Sequence, residues 1–166
     1  GGAGFRTAVN PEDGGPSEAV RVMRDALVAR GVAVDIATTG FAQADEAGVR
    51  RFPRQTRFYK LSFPLARWLW QHARDYDLVH VHALFSFSSV AASAVSRWRG
   101  VPYVLRPLGT LSPYGVTRRR PWLKRISLAL LDGPALRNAA AVHFTSDMER
   151  VEAGATGISL RPAVIP

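Results

Sequence analysis

The chain contains no cysteine. That excludes a disulfide framework, a thiolate nucleophile and any cysteine-based metal site, and it fits a reducing compartment. No apolar run approaches the roughly 18 residues that a membrane-spanning helix requires. No secretory signal pattern is present, and Gly1–Gly4 carry no structural pattern. Lysine is almost missing: only Lys60 and Lys124 stand among 22 basic residues. Several motifs are absent too. There is no GxGxxG, no GxxxxGK[ST] and no HExxH. No Ser-His-Asp set and no close carboxylate pair suggests a hydrolase, so no side-chain nucleophile can be named.

What is present fits one ordinary domain. The chain has 166 residues, 47% of them apolar, enough for a hydrophobic core. The net charge is +9 and it is uneven. Residues 50–74 hold seven bases and no acid, and Arg118-Arg119-Arg120 with Lys124 and Arg125 form a second such run. Such stretches attract nucleic acid, phospholipid or phosphorylated ligands, or they are solvated faces of an arginine-rich protein.

The pattern along the chain alternates strands and helices. Phe5–Val9 reads as a first strand and Asn10–Pro16 as a turn-rich loop. Ser17 reads as the N-cap of a helix that Gly31 stops. Val32–Ala37 is a buried strand. Either Val49–Phe52 or Thr56–Tyr59 is a third. Pro64–Arg74 is a helix with Leu65, Trp68 and Leu69 inward. Leu78–Val81 is a strand, Ser86–Arg99 a helix of small residues ended by Gly100, and Pro102–Leu105 a strand. Pro121–Leu131 is a helix with Trp122, Ile126 and Leu130 on one inward face. A short helix near Ala135–Arg137 precedes strand Ala141–Phe144. Ser146 and Glu149 form a capping box, and Leu160–Ile165 is a last strand. Apolar strands without polar alternation belong to a parallel sheet covered on both faces. The predicted architecture is α/β, doubly wound and mostly parallel, and such folds bind ligands beyond the carboxyl ends of their strands.

The loops at those ends hold the candidate site. Gly14 and Gly15 allow close backbone approach to a phosphate at a helix start, or simply make a tight turn. His80 and His82 lie two apart and so on one face of their strand. His82 is nearer the strand end and is the candidate for hydrogen bonding a sugar hydroxyl or a leaving group. His80 is expected to pack. No third ligand at a recognisable spacing accompanies them, so no metal site is expected. Arg106 ends a strand, where a guanidinium clamps phosphate or carboxylate. Gly109, Thr110, Ser112, Tyr114 and Gly115 follow it.

These residues resemble the N-terminal domain of GT-B fold, family 4 retaining glycosyltransferases. The resemblance rests on Gly14-Gly15-Pro16, Leu27-x-x-Arg30-Gly31-Val32-x-Val34 and Tyr76–Phe85. It continues through Gly100–Pro113, Lys124-Arg125 and Ala141–Ser146 with Glu149. It covers most of residues 8–166 and is weakest over 41–74. It implies a single Rossmann-like, acceptor-side domain over 1–166, with the donor-binding C-terminal domain absent and the isolated chain inactive. The Gly14-Gly15 loop, Arg106 and Gly109 would line the cleft near the donor diphosphate, and His82 would position the transferred sugar. The nucleotide sugar would be a substrate and no tightly bound metal or other cofactor is implied. The acceptor would be a sugar, a lipid-linked sugar or a small molecule. The expected location is cytoplasmic, with an anionic membrane surface or an acceptor phosphate as partner of the basic stretches. The competing class is a basic nucleic-acid-binding or phosphate-ligand-binding α/β domain. No RRM, KH or helix-turn-helix pattern supports the former, and no nucleic acid partner is expected. A sugar-nucleotide epimerase is a third reading, and the absent GxGxxG argues against a dinucleotide in any such enzyme.

Overall fold

A computed structural model describes residues 4–8, 15–40, 48–56, 59–112 and 121–166, with residues 4–8, 15–18 and 121 as backbone only. Seven strands form one sheet: β1 (Gly4–Ala8), β2 (Ala33–Thr39), β3 (Val49–Phe52), β4 (Leu78–His82), β5 (Tyr103–Arg106), β6 (Ala141–Phe144) and β7 (Pro162–Val164). Every pair is parallel, in the order β3-β2-β1-β4-β5-β6-β7. Parallel neighbours need crossovers, and helices supply those that lead into β2, β4, β5, β6 and β7. The doubly wound parallel sheet expected from the sequence is therefore the observed fold. Of the two candidates for the third strand, Val49–Phe52 is the one that pairs, against Ile36–Thr39.

The crossovers are α1 (Gly15–Val28), α2 (Phe63–His72), α3 (Phe87–Arg99), α4 (Pro121–Ser127), α5 (Gly133–Asn138) and α6 (Asp147–Gly154). Ser17 is not the N-cap of α1. That helix starts two residues earlier, with Pro16 in its first turn, where a missing N–H costs nothing. Ser62 caps α2 by accepting from the Leu65 amide. Gly100 ends α3 in the left-handed region, its N–H bonded to the Ser96 and Arg97 carbonyls. The buried face of α3 is Ser89, Ala92, Ser93 and Ser96, small enough for the helix to lie close to the sheet.

The main core packs Val79, Val81, Tyr103, Leu105, Val142 and Phe144 of the central strands against Leu65, Leu69, Ala92 and Leu136. Trp68 sits half-buried on this core beside Phe52, as its helical spacing predicted. A smaller cluster of Val20, Ile36 and Val49 seals α1 against β2 and β3.

The expectation for the helix at 121–131 needs correction. Trp122, Ile126 and Leu130 do share one face, but it is exposed: 62%, 49% and 69%. The helical path also does not stop at 131. It runs into α5 through a π turn, Leu128–Asp132, closed by the Gly133 amide on the Leu128 carbonyl. Pro134 explains the wide turn. It has no N–H to donate, and its ring would press on the carbonyl four residues back in a regular α-helix.

Candidate functional site

Strand order reverses between β1 and β4, which is the topological switch point of the sheet. The carboxyl-end loops there and beside it are 83–86 after β4, 107–112 after β5 and 145–146 after β6. The loop after β1, with Gly14, lies outside the described residues, as do Arg57, Tyr114, Gly115 and Arg118–Arg120. Gly15 is the first residue of α1.

Alternation along β4 sends Val79 and Val81 to the main core and His80 and His82 to the opposite face. Both histidines are buried. Their rings lie 4.3 Å apart, and the ring of His143 on β6 lies 5.6 Å from that of His80. His143 is tied to the Ile165 carbonyl through Nε2 at 2.9 Å. Burial, with the neighbouring charges of His143 and Arg106, holds the His80 pKa down to about 3. Burial and then His80, Arg106 and His143 hold His82 well below its ordinary value. At neutral pH these two imidazoles are therefore uncharged donors and acceptors. Neither ring nitrogen of His82 has a hydrogen-bond partner among the described residues.

Arg106 pairs in register with His82 across β4 and β5 and so shares its face. Its Nε is buried without a partner among the described residues. Burial lowers its pKa, and the attraction of Glu149 works against that. Arg106 and Gly109 line an open cleft of about 460 Å³ with Leu108, Thr145, Ser146 and Glu149. Ala19 of α1 closes one side, and Met148 and Glu152 of α6 the other. His82 is not among the lining residues. The structure thus brings Arg106 and Gly109 to one wall, with His82 buried beside Arg106 on the neighbouring strand.

Two residues that the sequence reading did not single out for the site hold it together. In the sequence Glu149 carries a capping signal with Ser146. Ser146 Oγ does accept from the Glu149 amide at 3.2 Å. The carboxylate, however, does not complete the reciprocal bond to Ser146. It accepts from the Thr145 amide at 2.9 Å and, with its other oxygen, from the Gly109 amide at 2.7 Å. Asp132 is the second. It is 1% exposed and accepts from the Phe85 amide and the Ser127 hydroxyl. Burial raises its pKa, and those two hydrogen bonds lower it in part. Phe85 and Ala83 both have positive φ, 57° and 65°, so the loop that follows His82 is held in a strained conformation. Asp132 anchors that loop from the π turn. Among the described residues no group of three or more His, Asp or Glu side chains is arranged to hold a metal ion.

The glycosyl transferase 4-like domain family matches residues 14–166. The chain belongs to that family. No curated protein sequence matches it. Solved structures do, at the level of fold. Sucrose-phosphate synthase from Thermosynechococcus elongatus superposes with a TM-score of 0.67 at 19% identity, over 99% of this chain and 48% of that one. HepE from Anabaena, solved in complex with UDP, gives 0.67 at 19%, over 98% and 43%. A Listeria monocytogenes protein assigned as a UDP-N-acetylglucosamine 2-epimerase gives 0.63 at 12%, over 99% and 44%.

This glycosyl transferase 4-like domain therefore spans about half the length of the chains it superposes on. The fold is shared with a protein assigned as an epimerase, so it does not separate the two activities. No described helix is long and apolar enough to cross a membrane.

Proposed function

We propose that this chain is the acceptor-side half of a two-domain glycosyltransferase that moves a sugar from a nucleotide-sugar donor to an acceptor. The observation that carries the reading is the pairing of Arg106 with His82 at the carboxyl ends of adjacent strands, one cationic and one neutral, in a member of this family. That HepE was solved with UDP-glucose as well as UDP supports a nucleotide sugar as donor.

In this reading the bond from the anomeric carbon to the diphosphate breaks as an acceptor oxygen attacks from the same side, and configuration is retained. The acceptor proton passes to the departing diphosphate. Arg106 meets negative charge developing on that group, and neutral His82 hydrogen-bonds a sugar hydroxyl. Gly14 and Gly15 bring backbone close to the diphosphate. No resident cofactor or metal is part of the proposal. Most donor contacts belong to the second domain, so the chain alone transfers nothing. In this reading the protein works in the cytoplasm, and the exposed apolar residues of α4 support docking to an anionic membrane surface.

Transfer from a panel of nucleotide sugars tests this, measured for the chain alone and for the two-domain protein. Transfer is expected only from the latter, and His82→Ala should lower kcat by about 10² to 10³. Comparable turnover by the chain alone refutes the two-domain reading. Epimerised donor, formed without acceptor, favours the epimerase reading instead.

A further inference from the structure

The Glu149 carboxylate sits where an anion would be expected to bind. Three donors converge on it: the Gly109 amide at 2.7 Å, the Thr145 amide at 2.9 Å and the Thr145 hydroxyl at 3.1 Å. Arg106 is close enough for its charge to register the carboxylate. Gly109 belongs to the loop after β5, and Thr145 to the loop after β6. One side chain on the first turn of α6 thus ties together the two loops that form a wall of the cleft.

We infer that Glu149 is a positioning residue: a carboxylate clamp that joins the β5 and β6 loops and fixes the wall carrying Arg106. Its kinetic consequence rests on the glycosyltransferase reading above; the clamp itself does not. With its N–H donated to Glu149, Gly109 lines the cleft but does not offer that amide to a donor diphosphate. Its φ of +70° puts any residue with a side chain there under strain.

The clamp requires two acceptors on one side chain. A carboxylate offers two oxygens, whereas a carboxamide offers one oxygen and an NH2 group. Both arms of the clamp meet N–H donors. Glu149→Gln therefore keeps the shape but loses one arm, placing N–H against N–H, and should behave more like Glu149→Ala than like the wild type.

The test has two arms. In the first, the 15N-labelled 166-residue chain is compared by NMR with its Glu149→Gln and Glu149→Ala variants. The Gly109 and Thr145 amide protons are expected to move upfield in Glu149→Ala and at least one of them in Glu149→Gln, with solvent exchange about tenfold faster or more. Formate added to Glu149→Ala should draw both resonances back together, because it supplies the missing carboxylate. A Gly109 amide that does not move in Glu149→Ala overturns the clamp, and so does a variant that formate leaves unchanged. If Glu149→Ala fails to fold, the isosteric Glu149→Gln decides by whether either amide moves. In the second arm, Glu149→Gln in the two-domain enzyme should lower kcat about tenfold and leave the acceptor KM within about threefold, because the Arg106 it positions meets charge that develops only as the diphosphate departs. A kcat within about twofold of the wild type overturns the positioning role. Absence of transfer by the wild type refutes the glycosyltransferase reading, while the NMR arm still decides the clamp.

Discussion

The imidazoles of His80 and His82 stack 4.3 Å apart at an interplanar angle of 37° on one face of β4. Close-packed rings in a buried site, with Arg106 beside them, cannot readily both take protons. Burial is the main cause and like charge the second. Sequence spacing placed the two rings on the same face but did not indicate that both would be enclosed.

This makes stability depend on pH in one direction. Above about pH 6.5 neither ring carries a proton, folded or unfolded. Below it the unfolded chain binds protons that the folded chain excludes, so stability falls as pH falls. For His80 the loss continues down to about pH 3. Each histidine contributes a slope of about 1.4 kcal/mol per pH unit within its window. Urea unfolding from about pH 7.5 to about pH 4.5 should show this, and His82→Asn should remove about one proton from the slope. An unchanged slope in His82→Asn means that this ring titrates normally in the folded chain.

Gly133 is the position where a single methyl group should do most damage. A Cβ built there lies 2.1 Å from the Leu128 carbonyl oxygen, which already accepts the hydrogen bond closing the π turn. That atom is backbone and cannot rotate away. The turn would have to open, taking with it Asp132 and its hold on Phe85. Gly133→Ala is expected to cost about 3 kcal/mol or more in unfolding free energy. Gly154→Ala makes the contrast, because nothing lies within 4 Å of a Cβ there. In helix α6 it should gain up to about 1 kcal/mol. Chemical denaturation of both variants decides, and a Gly133→Ala protein as stable as the wild type would show that the π turn is dispensable.

The fold was legible because periodicity and punctuation agreed. Gly100 and the apolar runs Leu78–Val81 and Ala141–Phe144 each carry a local signal that the parallel sheet then uses. The site was legible only in part. Arg106 and Gly109 announce themselves at a strand end and meet at the cleft wall. Glu149 carried a local signal, a capping box, whose first half forms with Ser146. The bond to Gly109 spans forty residues of sequence, and no short-range pattern reports it. Asp132 was hidden by the π turn, since helical spacing cannot show a turn that Pro134 forces wide. The same break explains the error on α4. Spacing correctly put Trp122, Ile126 and Leu130 on one face, yet spacing alone does not say which face meets the sheet.

That face gives the last prediction. Trp122, Ile126 and Leu130 are exposed at 62%, 49% and 69%, with Leu131 beside them at 43%. Arg125 on the same helix is exposed and Lys124 stands over the Phe85 ring at 5.5 Å. Arg118–Arg120 directly precede the helix in sequence. Indole and aliphatic groups flanked by arginine suit the headgroup boundary of an anionic bilayer. Each base near such a surface adds about 1 kcal/mol, screened within a Debye length. The other basic stretch is a weaker candidate. Trp68 is half-buried against Phe52, and Trp70 has the Arg99 guanidinium over its ring at 5.2 Å. Co-sedimentation should therefore show the chain bound to anionic vesicles at low salt, less bound near physiological salt, and free of neutral vesicles. Trp122→Ala with Leu130→Ser should weaken binding to anionic vesicles without lowering Tm, because both side chains are exposed in the folded chain. Arg118, Arg119 and Arg120 changed to Ala should weaken it further and flatten the salt dependence. A wild-type chain that remains in the supernatant with anionic vesicles at low salt rules out membrane docking through α4. The exposed apolar stripe would then be a surface for another protein segment, with the second domain the first to test.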